Sequence, residues 1–417
     1  MAKRFTSYIL AGMLLGILTG WLLNRNVTDP ATLARLGADF SIVTDLFLRL
    51  IKMIIAPLVF ATLVSGIAHM GDSTSLGRVG LRTLLWFLLA SVLSLVLGIV
   101  MVTLLKPGAA LTLPLPPAQA SAGVQAAGLT LKEFVTHLVP RSVAEAMANN
   151  EILQIVVFSI FFGVGLNSVG EKGRVLLQAI VGISEVMLRV TRYVMLVAPF
   201  AVFAAIAATI TTQGLGILVT YGRFIGSFYL SILILWGVLV LLGSLVLGRR
   251  VLELMRLVRE PLLLAFSTAS SEAAYPRTLE QLERFGASNR IASFVLPLGY
   301  SFNLDGSMMY CTFATLFIAQ AYGIDLTLAQ KLTMLFLLLV TSKGMAGVPR
   351  ASLVVIAATL SFFNIPEAGL LLILAVDHFL DMGRSATNVI GNSIATAVVA
   401  RWEGELGPGA AEDNAPA

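Results

Sequence analysis

The sequence predicts an all-α polytopic membrane protein, and three observations carry that prediction. Of 417 residues, 57% are hydrophobic and only 12% charged, about half the charged share of a soluble domain. The mean hydropathy is +0.90. Uncharged runs long enough for a ~30 Å hydrocarbon layer recur from Phe5 onward without an intervening linker, so the chain reads as one membrane unit. The net charge of +5 comes from basic residues at segment ends, as in cytoplasmic loops, and does not point to nucleic acid. The single cysteine, Cys311, excludes an intramolecular disulfide, and no Cys/His cluster has zinc spacing. No cofactor is expected.

The first run, 5–24, follows Lys3 and Arg4 as a signal peptide would. No small-residue cleavage site comes after it and apolar segments continue, which predicts an uncleaved membrane helix. Similar runs at 53–71, 83–105, 152–170, 193–212 and 224–248 bring the expected crossings to six. The Pro- and Ala-rich stretch 107–150 is too polar and broken to span. With Met1 in the cytoplasm, three crossings place that stretch outside, and six place Arg249, Arg250, Arg256 and Arg259 inside, as the positive-inside rule requires.

Beyond Val251 the apolar stretches shorten and polar clusters interrupt them: STASSEAAYPR at 267–277, GYSFNLDGS at 299–307, TSKGMAGVPRAS at 341–352, and DHFLDMGRSATNVIGN at 377–392. Backbone amides cannot stay unpaired in lipid, so short apolar arms around a Gly/Ser/Pro tip predict a helical hairpin that re-enters from one side. Two are expected, around 267–277 and 341–352. Each has a Pro-Arg pair after its tip, Pro276-Arg277 and Pro349-Arg350, and each precedes a long helix with an Asn and Asp cluster. Paired broken segments of this kind mark a transporter site near the membrane midplane. The last helix is expected from about 369 to 401, and the tail after Glu403 is expected to be disordered.

In that last helix, Asp377, Asp381, Arg384, Asn388 and Asn392 stand at increments of 4, 7, 11 and 15. At ~100° per residue they lie within an arc of roughly 80°. An ionisable group at the bilayer centre costs about 2.5 to 3.5 kcal/mol on insertion scales, so the stripe implies internal partners or a hydrated cavity. The plainer alternative is that Asp381 and Arg384 merely neutralise each other inside a packed bundle. Asn303 and Asp305, two residues apart, would point to different sides of an intact helix, so the helix should unwind there and offer oxygens to a cation or a carboxylate to a proton. Amides at the tips, around Ser270 and Ser271 and around Ala346 and Gly347, would be unpaired donors suited to an anion. Lys343 and Arg350, beside the second tip, are expected to snorkel to the interface.

These four clusters in this order resemble the dicarboxylate/amino acid:cation symporters, the glutamate transporter family, over roughly residues 9–403. NLDGS, the AGVP tip and DMGRSATN are together highly specific, and STASSE, GYSFNLDGS and TSKG resemble the bacterial proton/glutamate-aspartate symporter branch in particular. The resemblance implies eight transmembrane helices, two re-entrant hairpins, inverted repeats, a homotrimer and an elevator mechanism. It also implies a division of the chain: scaffold helices in 1–82 and 151–215, the third helix in 83–106, an extracellular loop at 107–150, a transport domain in 216–402, and a cytoplasmic tail at 403–417.

Carried over by position, Arg384 is similar to the binder of the side-chain carboxylate and Asp381 to that of the amino group. Asn388 and the Ser271 amide are similar to α-carboxylate binders, with Ser307 and Ser385 lining the pocket, and the tip amides around Ser270, Ala346 and Gly347 are expected to join them as anion donors. The chemistry agrees, because a guanidinium fork fits a carboxylate bidentately and a free Asp fits an ammonium. Glu272, Gly299, Ser301, Asn303, Asp305, Ser342, Asp377 and Asn392 are the expected cation or proton residues. A sodium site of backbone carbonyls would lie near Ser301, Ser342, Lys343 and Met345.

The departures concern the coupling ion. Sodium-coupled members of the family have an Asp where Asn392 stands, and a Tyr and a Thr in place of Phe87 and Ala90, while Ser91 is kept. Mammalian members have a proton-linked Glu at Cys311. Losing a carboxylate and two hydroxyls removes ligands that a buried sodium ion needs. The expected function is therefore proton-coupled uptake of L-glutamate or L-aspartate across a bacterial inner membrane, with both termini cytoplasmic. Sodium-coupled uptake and C4-dicarboxylate transport are the alternatives. An anion channel would need a continuous pore, and no GxSxG or HExxH pattern suggests an enzyme.

Overall fold

A computed structural model describes residues 2–68, 73–110, 115, 139–215, 221–341, 351–374 and 376–408. Among the described residues the chain is helical, without strands, and has one isolated bridge between Ala287 and Leu406. The first half comprises α1 (Ala2–Asn26), α2 (Pro30–Ala68), α3 (Ser73–Leu105), the short α4 (Val143–Ala148), α5 (Ile152–Val169), α6 (Arg174–Met195), α7 (Ala198–Gln213) and α8 (Gly222–Leu247). Among the described residues, five helical stretches are long and apolar enough to cross a membrane: Ser7–Asn26, Pro30–Ala68, Gly77–Leu105, Ile152–Met195 and Gly222–Leu247.

Two expected crossings change. The run at 53–71 is the C-terminal part of a 39-residue helix, α2; its earlier half carries Arg35, Asp39, Asp45, Arg49 and Lys52, and an apolar-window reading ends where those charges begin. The run at 193–212 is divided between the end of α6 and the 16-residue α7, whose rise of about 24 Å is less than the hydrocarbon thickness. Pro199 in the first turn of α7 cannot continue the preceding ladder, since it has no N–H.

The pairing of α1 with α7 is written in small residues. A Cβ at Gly12 would lie 2.6 Å from the Pro199 carbonyl oxygen, one at Gly16 2.7 Å from that of Phe203, and one at Gly20 2.8 Å from the Ile210 Cβ. Glycines four apart let two backbones touch where lipid gives no hydrophobic drive to association. Helices α1, α2, α5, α6 and α7 pack on one another.

The second half is more broken. It comprises α9 (Arg250–Leu257), α10 (Arg259–Thr268), α11 (Tyr275–Phe285), α12 (Asn289–Phe302), α13 (Asp305–Ala321), α14 (Leu328–Thr341), α15 (Ala351–Phe362), α16 (Leu370–Leu374) and α17 (Asp377–Trp402). The polar clusters at 267–277 and 299–307 become helix breaks, because each offers the backbone other partners, whereas 377–392 stays helical. The continuous helix expected from about 369 is two pieces: α16 ends at Leu374, and Val376, at φ −123° and ψ 2°, precedes α17. The break places Asp377 in the first turn of α17, where a carboxylate is favoured. Met382 through Ala400 are all buried, as are Ile291 through Ser301 of α12 and Asp305 through Ala319 of α13. The polar stripe therefore faces protein. α12 rests on α2 and α5, and α10 on α1 and α7.

α10 and α11 flank the first polar cluster. They are joined by Arg277, which donates from Nε to Glu260 at 2.6 Å and from NH2 to the other Glu260 oxygen at 2.9 Å, and also pairs with Glu280. Glu260 is buried. Removing one partner of a buried pair strands the other charge at about 3–5 kcal/mol, whereas an exposed pair contributes at most about 1 kcal/mol. Arg277→Ala is thus expected to lower the thermal midpoint in detergent far more than Arg284→Ala, whose side chain is 46% exposed. Equal small shifts in the two variants would show that the arms do not depend on the pair. α14 and α15, of 14 and 12 residues, flank the cluster at 341–352; residues 342–350 lie outside the described residues.

The tail is ordered further than expected. Glu403 pairs with Arg78 and Arg82 at 2.9 Å each, and Trp402 meets Trp86 edge to face. Glu405 pairs with Arg290 and accepts from Ser288, and the Gly407 amide donates to the Gly286 carbonyl. Polar composition suggested disorder, but three arginines and the isolated bridge from Ala287 to Leu406 supply partners from elements distant in sequence. Residues 409–417 lie outside the described residues.

Candidate functional site

The site is built where α12 stops and α13 starts, against the face of α17. Asn303, at φ −128° and ψ 58°, ends α12, and Asp305 opens α13. The break turns the two side chains toward each other: Asn303 Nδ2 donates to Asp305 Oδ2 at 3.0 Å and to Asn392 Oδ1 of α17 at 3.1 Å. Ser94 of α3, whose hydroxyl donates to the Ala90 carbonyl, lies 3.2 Å from Asp305 Oδ1. All four side chains are buried. Close approach explains two glycines, since a Cβ at Gly391 would fall 1.9 Å from Asp305 Oδ2 and one at Gly299 would fall 2.3 Å from Asn392 Oδ1. Three buried polar atoms here, Ser301 Oγ, Asn303 Oδ1 and Asn392 Nδ2, have no partner among the described residues. Phe87 and Ala90, on the same stretch of α3 as Ser94, are buried and bring only carbon.

One turn toward the start of α17, Asn388 Oδ1 accepts from the Gly306 amide at 2.9 Å, and its Nδ2 lies 3.5 Å from Ser307 Oγ. Asn388 thereby caps the free N-terminal amides of α13. Ser307 and Ser385 are both buried.

The charged part comes next. Arg384 is 2% exposed. Its NH2 lies 3.0 Å from Asp381 Oδ1 and 3.3 Å from Asp377 Oδ1. The guanidinium carbon sits 4.2 Å from the centroid of the Tyr310 ring, a cation–π contact, and the Tyr310 hydroxyl donates to Asp377 at 3.1 Å. Nε and NH1 of Arg384 are buried and have no acceptor among the described residues. A buried donor left unmade costs roughly 1–3 kcal/mol, more when charged. A planar fork with two unused nitrogens is suited to a carboxylate.

The tip of the first hairpin differs in one respect from expectation. Ala269 takes a left-handed φ of 49°, and the Ser270 amide is used, donating to the Ala265 carbonyl at 3.1 Å, because a left-handed residue closing a helix satisfies its last carbonyls. Ser270 Oγ accepts from the Ala273 amide, and the Ser271 carbonyl accepts from the Tyr300 hydroxyl at 3.0 Å. The Ser271 amide has no partner among the described residues. Ala269, like Phe379 of α17, packs against the buried cluster of Ile206, Ile210 and Met382, which brings this segment near α17. Glu272, next along, is half-buried. Ser342, Lys343, Met345, Ala346, Gly347 and Arg350 lie outside the described residues.

Residues 5–402 match the Sodium:dicarboxylate symporter family. The chain belongs to that family. It is 37% identical over 411 residues to the proton/sodium-glutamate symport protein of Bacillus subtilis (strain 168), covering 97% of this chain and 94% of the relative. To the C4-dicarboxylate transport protein of Cupriavidus necator it is 41% identical over 413 residues, with 97% and 94% covered. To the protein of that name from Anaeromyxobacter sp. (strain K) it is 40% identical over 416 residues, with 97% and 91% covered. Members of the sodium:dicarboxylate symporter family are transporters, and this chain is a multi-pass membrane symporter, not an enzyme.

Within the symporter, sequence reasoning placed Asp377, Asp381, Arg384, Asn388, Asn392, Asn303, Asp305 and Ser307, and the fold brings these together in one file, buried except at Asp381, whose side chain is 38% exposed. It missed Tyr310 and Ser94. Tyr310 lies three residues after Ser307, on its face of α13, which was the available signal; a serine in an apolar helix such as Ser94 usually bonds its own backbone and gives none.

Proposed function

We propose that the protein takes up L-glutamate or L-aspartate together with protons. One observation carries the reading: a buried guanidinium, Arg384, with two donors unused, beside a carboxylate, Asp381, able to meet an ammonium. The two charges suit the two ends of an acidic amino acid, the Arg384 fork taking the side-chain carboxylate and Asp381 the amino group. Asn388, the Ser271 amide and the second tip, with Ala346 and Gly347, complete the α-carboxylate site. The name of the Bacillus subtilis relative supports this reading.

The proton reading rests on the residues around Asp305. Phe87, Ala90 and Asn392 supply carbon and an amide, and Asn392 directs its oxygen to Asn303, so these three positions offer a sodium ion one amide oxygen, already engaged, and neither a carboxylate nor a hydroxyl. Asp305, buried where α13 begins, and Glu272 are the carboxylates that would carry a proton with the substrate. The protein works as an elevator of eight transmembrane helices and two hairpins, as a homotrimer in a bacterial plasma membrane with both termini cytoplasmic. The packing of α1, α2 and α5–α7 on one another supports a scaffold distinct from a moving body that holds the site.

A second reading is favoured by the relatives named as C4-dicarboxylate transporters and by the pairing of Asp381 with Arg384, which would leave a dicarboxylate without an amino group acceptable. Uptake of labelled glutamate, aspartate and succinate into proteoliposomes, with pH and sodium gradients imposed separately, tests both. Glutamate or aspartate uptake is expected to rise as external pH falls from about 8 to 6 and to vanish with a protonophore. Uptake that requires sodium and ignores the pH gradient overturns the proton reading. Concentrative uptake of succinate alone overturns the substrate.

A further inference from the structure

α8 is a 26-residue apolar helix ending at Gly248, where φ is +59° and the chain turns, and α9 begins two residues later. α9 is amphipathic. Val251, Leu254 and Val258 are buried against the protein, and Arg250 points the same way, donating to the Phe285 and Gly407 carbonyls at 2.8 and 3.0 Å with its guanidinium 4.8 Å above the Phe285 ring. The opposite face is different. Arg249, Leu252 and Arg256 fall within about 60° on the helix, and all are exposed, Leu252 to 56%. Arg259, the first residue of α10, is exposed beside them and donates to the Arg256 carbonyl at 3.2 Å. Glu253, the carboxylate of this helix, faces Arg250 at 4.0 Å, and Glu260 is bound by Arg277. Among the described residues neither Arg249, Arg256 nor Arg259 forms an ion pair.

We infer that the α9 face formed by Arg249, Arg256, Arg259 and Leu252 is a binding surface for the headgroups of anionic phospholipids. The inference stands on charge complementarity and placement: three guanidinium groups without acidic partners surround an exposed leucine, on a short helix that follows a membrane-spanning one. A basic amphipathic helix in that position lies in the interface plane, with its apolar residue among acyl chains and its cations at phosphate level. Arginine suits phosphate because its planar fork donates two bonds at once.

The test is native mass spectrometry of the full chain in detergent, offered phosphatidylglycerol and phosphatidylcholine with the same acyl chains at equal concentration. Each arginine near an anionic surface contributes roughly fivefold in affinity, less under salt screening. The wild type is therefore expected to retain phosphatidylglycerol over phosphatidylcholine by about tenfold or more. The variant R249Q/R256Q/R259Q should fall to near parity, while R249K/R256K/R259K and the control R174Q/R189Q/R192Q, which removes three exposed arginines of α6, should keep the preference. Equal retention of both lipids by the wild type, or an unchanged preference in the α9 glutamine variant, overturns the inference.

Discussion

Arg384→Ala is expected to abolish uptake of labelled glutamate and aspartate. Truncating one member of a buried, hydrogen-bonded charge pair costs about 2 to 5 kcal/mol, roughly a 30-fold to several-thousand-fold loss of affinity at 1.4 kcal/mol per tenfold. The hypothesis rests on the two unused donors of Arg384 and on its burial at 2% exposure. Without the guanidinium, Asp377 and Asp381 lose the cation that both contact, and Tyr310 loses the charge above its ring. An acidic ligand would then face two carboxylates. Neutral amino acids, no longer rejected by an unpaired guanidinium, are expected to gain relative to acidic ones. Binding of glutamate and of a neutral amino acid to purified protein, measured by titration calorimetry on variants that keep the wild-type elution profile, decides the matter. Unchanged glutamate affinity would sink the assignment.

The second large effect is expected at Asp381. If its carboxylate meets the substrate ammonium, Asp381→Asn weakens glutamate and aspartate by about 2 to 5 kcal/mol while leaving succinate little changed, because succinate has no ammonium to strand. If Asp381 serves only to neutralise Arg384 at 3.0 Å, all three ligands change in parallel. Competition against labelled aspartate in the wild type and the variant separates the two. A wild type in which succinate competes as well as aspartate would falsify the ammonium role.

Much of this site was legible without coordinates because its signals are local. A charged residue inside an apolar run is costly in lipid, so Asp377, Asp381 and Arg384 marked α17 at once, and their 80° arc followed from helix geometry. Asn303 and Asp305 could not share a face of an intact helix, and α12 does end at Asn303. Polar residues between short apolar arms marked the break between α10 and α11. Composition alone determined that the chain is helical and membrane-embedded, since only closed hydrogen-bonding structures survive in hydrocarbon.

The tertiary structure decided which donors meet which acceptors. That Asn303 bridges Asp305 to Asn392, 89 residues away, that Tyr310 carries both Asp377 and the Arg384 charge, and that Ser94 reaches Asp305 from α3 are consequences of helices packed at glycines such as Gly391, where a single methyl group would collide with Asp305. It also decided that α16 and α17 are separate and that Glu403 through Pro408 are held by Arg78, Arg82, Arg290 and Arg250. Hydropathy and helical period act over a few turns of chain, whereas a hydrogen bond forms only where packing brings its partners to about 3 Å, and that distance is set by every helix in between.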